Sequence, residues 1–223
     1  MRPDSFFQKE LLEDLRDRRG LILKFALPAA LLLPLILADV PVSLQAAGIT
    51  VAVVFSGVFG SSIGLVRLRE SGMLERMAML PVSPRRLTAG YVFANALLDL
   101  AQVAVPLAVF LLVHPPAPAG VVYAAVSFAS AVVAANALGV LAAAVPGSSG
   151  EGHLYAIVTV MAAIAFSGLI APAPYTQGLL PFWYLYAALL TTPGAFALAP
   201  VLAALLLGSV LTVSPWLFGR TGG

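Results

Sequence analysis

Between Leu87 and Gly219 the chain carries no lysine and no arginine. Just before that stretch lies a dense charged island, Arg67 to Arg86, with the sequence RLRESGMLERMAMLPVSPRR. It holds five of the twelve Lys/Arg residues. Long apolar runs interrupted by one cationic island are the mark of a membrane protein with a cytoplasmic loop. Composition agrees, with 61% hydrophobic residues, 10% charged residues and a mean hydropathy of +0.99. Soluble domains carry about 25% charged residues, so water-soluble classes are excluded. The net charge of +2 sits at span ends and does not point to nucleic acid. The absence of cysteine excludes disulfides and thiolate metal sites.

Taken in order, residues 1–20 read as an amphipathic helix. Ser5 and Gln8 form a capping-box pattern, Phe7, Leu11 and Leu15 share one face, and Gly20 stops it. Such a helix lies in the membrane interface. Because both charge signs precede the first apolar run, the segment does not read as a cleavable signal peptide. The remainder, 21–223, reads as one all-α membrane domain with six spans: Leu21 to Ala38, Gly48 to Val66, Leu87 to Val113, Gly120 to Val145, His153 to Ala171 and Ala195 to Phe218. Asp39 to Ala47 reads as an outer loop and Pro146 to Gly152, PGSSGEG, as a flexible turn. The segment 172–194 is broken by Pro172, Pro174, Pro181 and Pro193 and is rich in aromatics. Within it, Leu179 to Leu190 is short for a span and reads as re-entrant or interfacial. A seventh span there would separate the two termini, against the charge rule. Cations in the N-terminal arm, the loop at 67–86 and Arg220 place both termini in the cytoplasm.

Three groups of residues carry functional expectations. Ser56, Gly60 and Gly64 are spaced by four and predict a helix-packing face. Asn95, Asp99 and Gln102 make a polar stripe on the third span, with Asp99 near the midplane. An ionised Asp there costs about 2.5–3.5 kcal/mol and needs a partner or a water-filled cavity. The stripe therefore lines a translocation cavity, or it bonds across helices to a residue such as Asn136. Glu70 to Leu80 predicts about three turns of helix continuing from the second span, with Met73, Leu74 and Met77 on one apolar edge and Pro81 and Pro84 ending it. An exposed, Met-rich apolar edge flanked by charge suits protein docking. No nucleotide-binding or metal motif is present: His114 and His153 sit at opposite span ends, and GSSGEG lacks the Lys-Ser/Thr of a P-loop.

The arm KELLEDLRDRR, the stretch RESGMLERMAMLPVSPRRL after the second span, six spans in about 220 residues and the proline-broken aromatic segment resemble the type-2 ABC transporter permease family. The resemblance implies that the arm is a connecting helix and the loop a coupling helix docking on an ATPase subunit. It places Glu70, Gly72, Leu74, Glu75, Arg76, Leu80 and Pro81 in that element. It further implies two permease copies with two separate ATPase subunits. ATP and Mg would be bound by the ATPase, with no cofactor in this chain. Family members export drugs, lipids, polysaccharides or haem across the inner membrane of a prokaryote. A hydrophobic or amphipathic substrate moved by alternating access is the expectation. A haem-exporter-like subunit of cytochrome c maturation and a non-transporting membrane scaffold are the alternatives. An intramembrane enzyme built on Asp99 would lack a second catalytic group on its face.

Overall fold

The computed structural model describes residues 18–79, 81–169, 177–190 and 197–219. All regular structure among them is helical. The helices are α1 Arg18–Leu37, α2 Val42–Glu70, α3 Met73–Ala78, α4 Pro84–Val113, α5 Pro118–Ala142, α6 Ser149–Phe166, α7 Pro181–Leu189 and α8 Leu198–Gly219. Five of these described helices, α2, α4, α5, α6 and α8, are long and apolar enough to cross a membrane. In α1 the apolar stretch Lys24–Leu37 is shorter. The chain is thus a polytopic all-α membrane protein, as expected. In lipid every backbone group must bond internally, which leaves helices as the form open to such apolar runs. The amphipathic reading of 1–20 falls almost entirely outside the described residues.

Several boundaries differ from the expected ones, each for a local reason. The loop expected at 39–47 is shorter, because α2 already begins at Val42. Pro41 stands at its N-cap with φ −53°, and the Gln45 side chain donates to the carbonyls of Ala38 and Val40 at 3.4 and 3.2 Å. The loop at 146–152 is not flexible throughout. Its last four residues are the first turn of α6, capped reciprocally: the Glu151 N–H donates to Ser148 Oγ, and Glu151 Oε2 accepts from the Gly147 N–H. The short helix expected over Leu179 to Leu190 is present as α7, with Phe182 and Leu185 fully buried. At nine residues it is about 14 Å long and cannot cross a ~30 Å core. Residues 170–176 and 191–196 of the surrounding segment lie outside the described residues.

The bundle is built around α2 and α5. The former touches α1, α3, α4, α5, α6 and α7; the latter touches α2, α4, α6, α7 and α8. Val53, Val54 and Val58 of α2 and Ala131, Ala134 and Ala135 of α5 are wholly buried in one cluster. Small residues let the two backbones meet. A Cβ on Gly57 would stand 2.5 Å from that of Ala135, and one on Gly139 would stand 2.6 Å from the Val58 carbonyl. The packing face expected at Ser56, Gly60 and Gly64 is therefore displaced by one residue over most of its length. Gly60 is exposed with open space beside it, and the Ser56 hydroxyl bonds within its own helix to Val53. Gly64 alone of the three makes room for a neighbour, the Tyr91 ring of α4, whose hydroxyl donates to the Ser61 carbonyl at 2.9 Å.

Candidate docking and coupling site

The charged end of α2 carries the site. At 29 residues α2 is about 43 Å long, so its last turn stands clear of a ~30 Å hydrocarbon core. It stops because Gly72 adopts φ +67°, a left-handed conformation that glycine takes without penalty. The Ser71 and Gly72 N–H groups close the turn onto Arg67 and Arg69 carbonyls. Gly72 then opens α3 as its N-cap residue. The expected continuous helix from Glu70 to Leu80 is accordingly two pieces hinged at Gly72, and α3 itself has six residues.

The apolar edge of α3 is also turned differently. Leu74 and Met77 are buried, 3% and 6% exposed, in a second core cluster with Leu65, Leu87, Tyr91, Val140 and Leu217. They anchor α3 to α2, α4 and α8 and do not offer themselves to a partner. Glu75, Arg76 and Met79 form the outward edge, with Met79 84% exposed. Met73 and Gly72 are half-buried, Pro81 is exposed, and Leu80 lies outside the described residues.

The two residues before the hinge reach sideways, a feature that motif reasoning assigned to docking for Glu70 and missed for Arg69. Arg69 donates through both terminal nitrogens, to the Pro146 carbonyl at 2.7 Å and the Ala143 carbonyl at 3.0 Å. Ala143 is the C-cap of α5. Glu70 accepts from the Ser149 N–H at 2.6 Å and from the Ser149 hydroxyl. Ser149 is the first residue of α6. A cation thus meets the negative end of one helix and an anion the positive end of the next. The Ser149 hydroxyl and N–H, with Arg67 nearby, hold the Glu70 carboxyl below its ordinary value of 4.5. The signal that could have shown a helix start there is the S-x-x-E pattern at Ser148 and Glu151, in a stretch read as a flexible turn.

At mid-bundle the polar stripe finds its partner on α5. Asn136 Nδ2 donates to Asp99 Oδ2 at 2.8 Å and to its own helix at Val132, while Asn136 Oδ1 accepts from Ser61 Oγ. One amide therefore ties α2, α4 and α5 together in a region where Asp99 is only 7% exposed. Gln102 is equally buried, whereas Asn95 is half-buried and bonds its own helix at Tyr91. Of the two readings of the stripe, interhelical bonding is the one these contacts realise.

Apolar helices long enough to span a bilayer, a polar tie at mid-bundle and a charged end bearing a short seated helix define a multi-pass membrane protein. A family model described as ABC-2 type transporter matches residues 5–194. The chain belongs to that family, and is the transmembrane part of such a transporter. Members of the family work with an ABC ATPase partner. No curated protein matches the chain.

Proposed function

We propose that this chain is the permease subunit of an ATP-driven exporter, with its separate ABC ATPase docking on the outward edge of α3. The observation that supports this reading most is the way α3 is held: Leu74 and Met77 seat it on the bundle while Glu75, Arg76 and Met79 face away. A helix that transmits force from a soluble partner needs both a firm inner face and a free outer one. In the full reading α1 is the first of six spans and both termini are cytoplasmic. Two permease copies pair with two ATPases in the inner membrane of a prokaryote. A hydrophobic or amphipathic substrate leaves the cytoplasm by alternating access. ATP and Mg belong to the ATPase.

The test uses the tagged chain expressed with its ABC ATPase and purified in mild detergent. Wild type brings the ATPase down, and native mass gives two copies of each. The variant Glu75→Lys with Arg76→Glu and Met79→Ala loses the ATPase, while the permease alone melts at the wild-type temperature. Truncating a hot-spot residue at an interface costs about 2 kcal/mol or more, enough to lower affinity at least tenfold. Retention of the ATPase at wild-type stoichiometry would sink the docking reading.

A further inference from the structure

We propose that Arg69 and Glu70 are positioning residues that carry movement of the loop helix α3 into α5 and α6. This rests on the docking of an ATPase at α3 for its biological meaning, but the mechanical link itself is a property of this chain. Three observations combine. First, on its N-terminal side α3 is joined to the end of α2 by Ser71 and Gly72 alone, so on that side a displacement of α3 is taken up at the last turn of α2 or in the hinge. Second, that turn holds the entire connection between α5 and α6 by its two ends. Arg69 grips the α5 C-cap at the Ala143 carbonyl and the loop beyond it at the Pro146 carbonyl, both from one planar guanidinium, and Glu70 grips the α6 terminus through two bonds to one carboxylate. Forked pairs of this kind fix orientation as well as distance. Third, the connecting turn is itself stiffened at Glu151, whose N–H donates to Ser148 Oγ and whose carboxylate accepts from the Gly147 N–H, so it moves as a unit. A rotation at the end of α2 is therefore imposed on two helices at once.

The alternative is that these contacts only close helix ends. Spatial adjacency does not distinguish the two, and a measured coupling does. The probe is a maleimide fluorophore on Gly150→Cys, at an exposed position with open space around it, in a chain that has no native cysteine. The full complex with its ATPase is reconstituted in lipid nanodiscs, and the labelling rate is compared without nucleotide and with ATP plus vanadate. The wild-type background is expected to show at least a threefold change. Arg69→Gln and Glu70→Gln are expected to keep ATPase association and nucleotide binding yet lose that change. An undiminished change in both variants would overturn the relay. A second arm uses the permease alone. Leu74→Ala, which loosens α3, should raise amide exchange over residues 149–152 several-fold, and should fail to do so once Glu70→Gln is present. Equal rises in both backgrounds, or none in either, would overturn the relay independently. Absence of any nucleotide response in the wild type would count against docking at α3, leaving the exchange arm to decide the relay. Ser149→Thr, which keeps the hydroxyl and the N–H, should behave as wild type in both arms.

Discussion

Gly139 is a residue at which the backbones of α5 and α2 approach directly. A methyl group there would stand 2.6 Å from the Val58 carbonyl, 2.9 Å from Ser61 Cβ and 3.0 Å from the Gly57 carbonyl. Two of those three neighbours are backbone and cannot rotate away. Gly139→Ala is expected to force the helices apart and cost about 1–3 kcal/mol. Gly60→Ala, on the open side of α2, should be neutral within about 0.5 kcal/mol. Thermal unfolding in detergent of the two variants beside wild type checks both, and equal melting temperatures would sink the assignment of the packing face. Four-residue spacing of small residues was legible from the sequence, but it identifies more than one stripe on α2. Ser56, Gly60 and Gly64 form one such stripe; Gly57 and Ser61 form another. Which stripe meets a neighbour depends on Ala135 and Gly139, and no pattern local to α2 reports on them. The Asp99–Asn136 pair was more accessible, because a buried carboxylate in an apolar span demands a donor and few donors exist.

At the scale of elements, α3 shows how an apolar edge can be recognised without its direction being known. Met73, Leu74 and Met77 had to cover something, since exposed apolar side chains in a charged loop are costly. The cover turned out to come from the same chain, from Leu65, Tyr91 and Leu217 among others. Helical spacing cannot separate a partner in the chain from a partner outside it. The consequence is measurable on the purified permease with no ATPase present. Leu74→Ala combined with Met77→Ala should lower its stability by at least about 2 kcal/mol, because buried Leu and Met truncations leave a cavity as well as losing transfer energy. An unchanged melting temperature would mean that α3 is not seated as described. Helix starts written by prolines, as at Pro84, Pro118 and Pro181, lie within three residues of the expected Leu87, Gly120 and Leu179, whereas the start capped by Ser148 was read as loop. The break at Gly72 was not legible, because a lone glycine in a helical pattern is tolerated as often as it terminates.

For the molecule as a whole, hydropathy and the distribution of cations carried the architecture, since lipid permits so few backbone forms. The proposed sidedness rests on the same distribution and has a direct check. Ser43 and Ser83 are both exposed and stand at opposite ends of the bundle, beside the start of α2 and the start of α4. With no native cysteine to interfere, Ser43→Cys should react with an impermeant thiol reagent added outside intact cells, and Ser83→Cys only after the membrane is opened. Labelling of both from outside would overturn the orientation. The grip of Arg69 and Glu70 on the turn between α5 and α6 also sets an order of events in biogenesis. Its receiving groups lie 74, 77 and 79 residues further along the chain. At about 5–20 residues per second of synthesis, the end of α2 exists for about 4–16 s before Ser149 has been made. During that interval a nascent chain already threaded into the bilayer presents a guanidinium and a carboxylate whose bonding groups at Ala143, Pro146 and Ser149 are still being made. Helices α1, α2, α4 and α5 are therefore complete in sequence before the end of α2 can lock, and closure of that end is a late step in the assembly of the newborn protein.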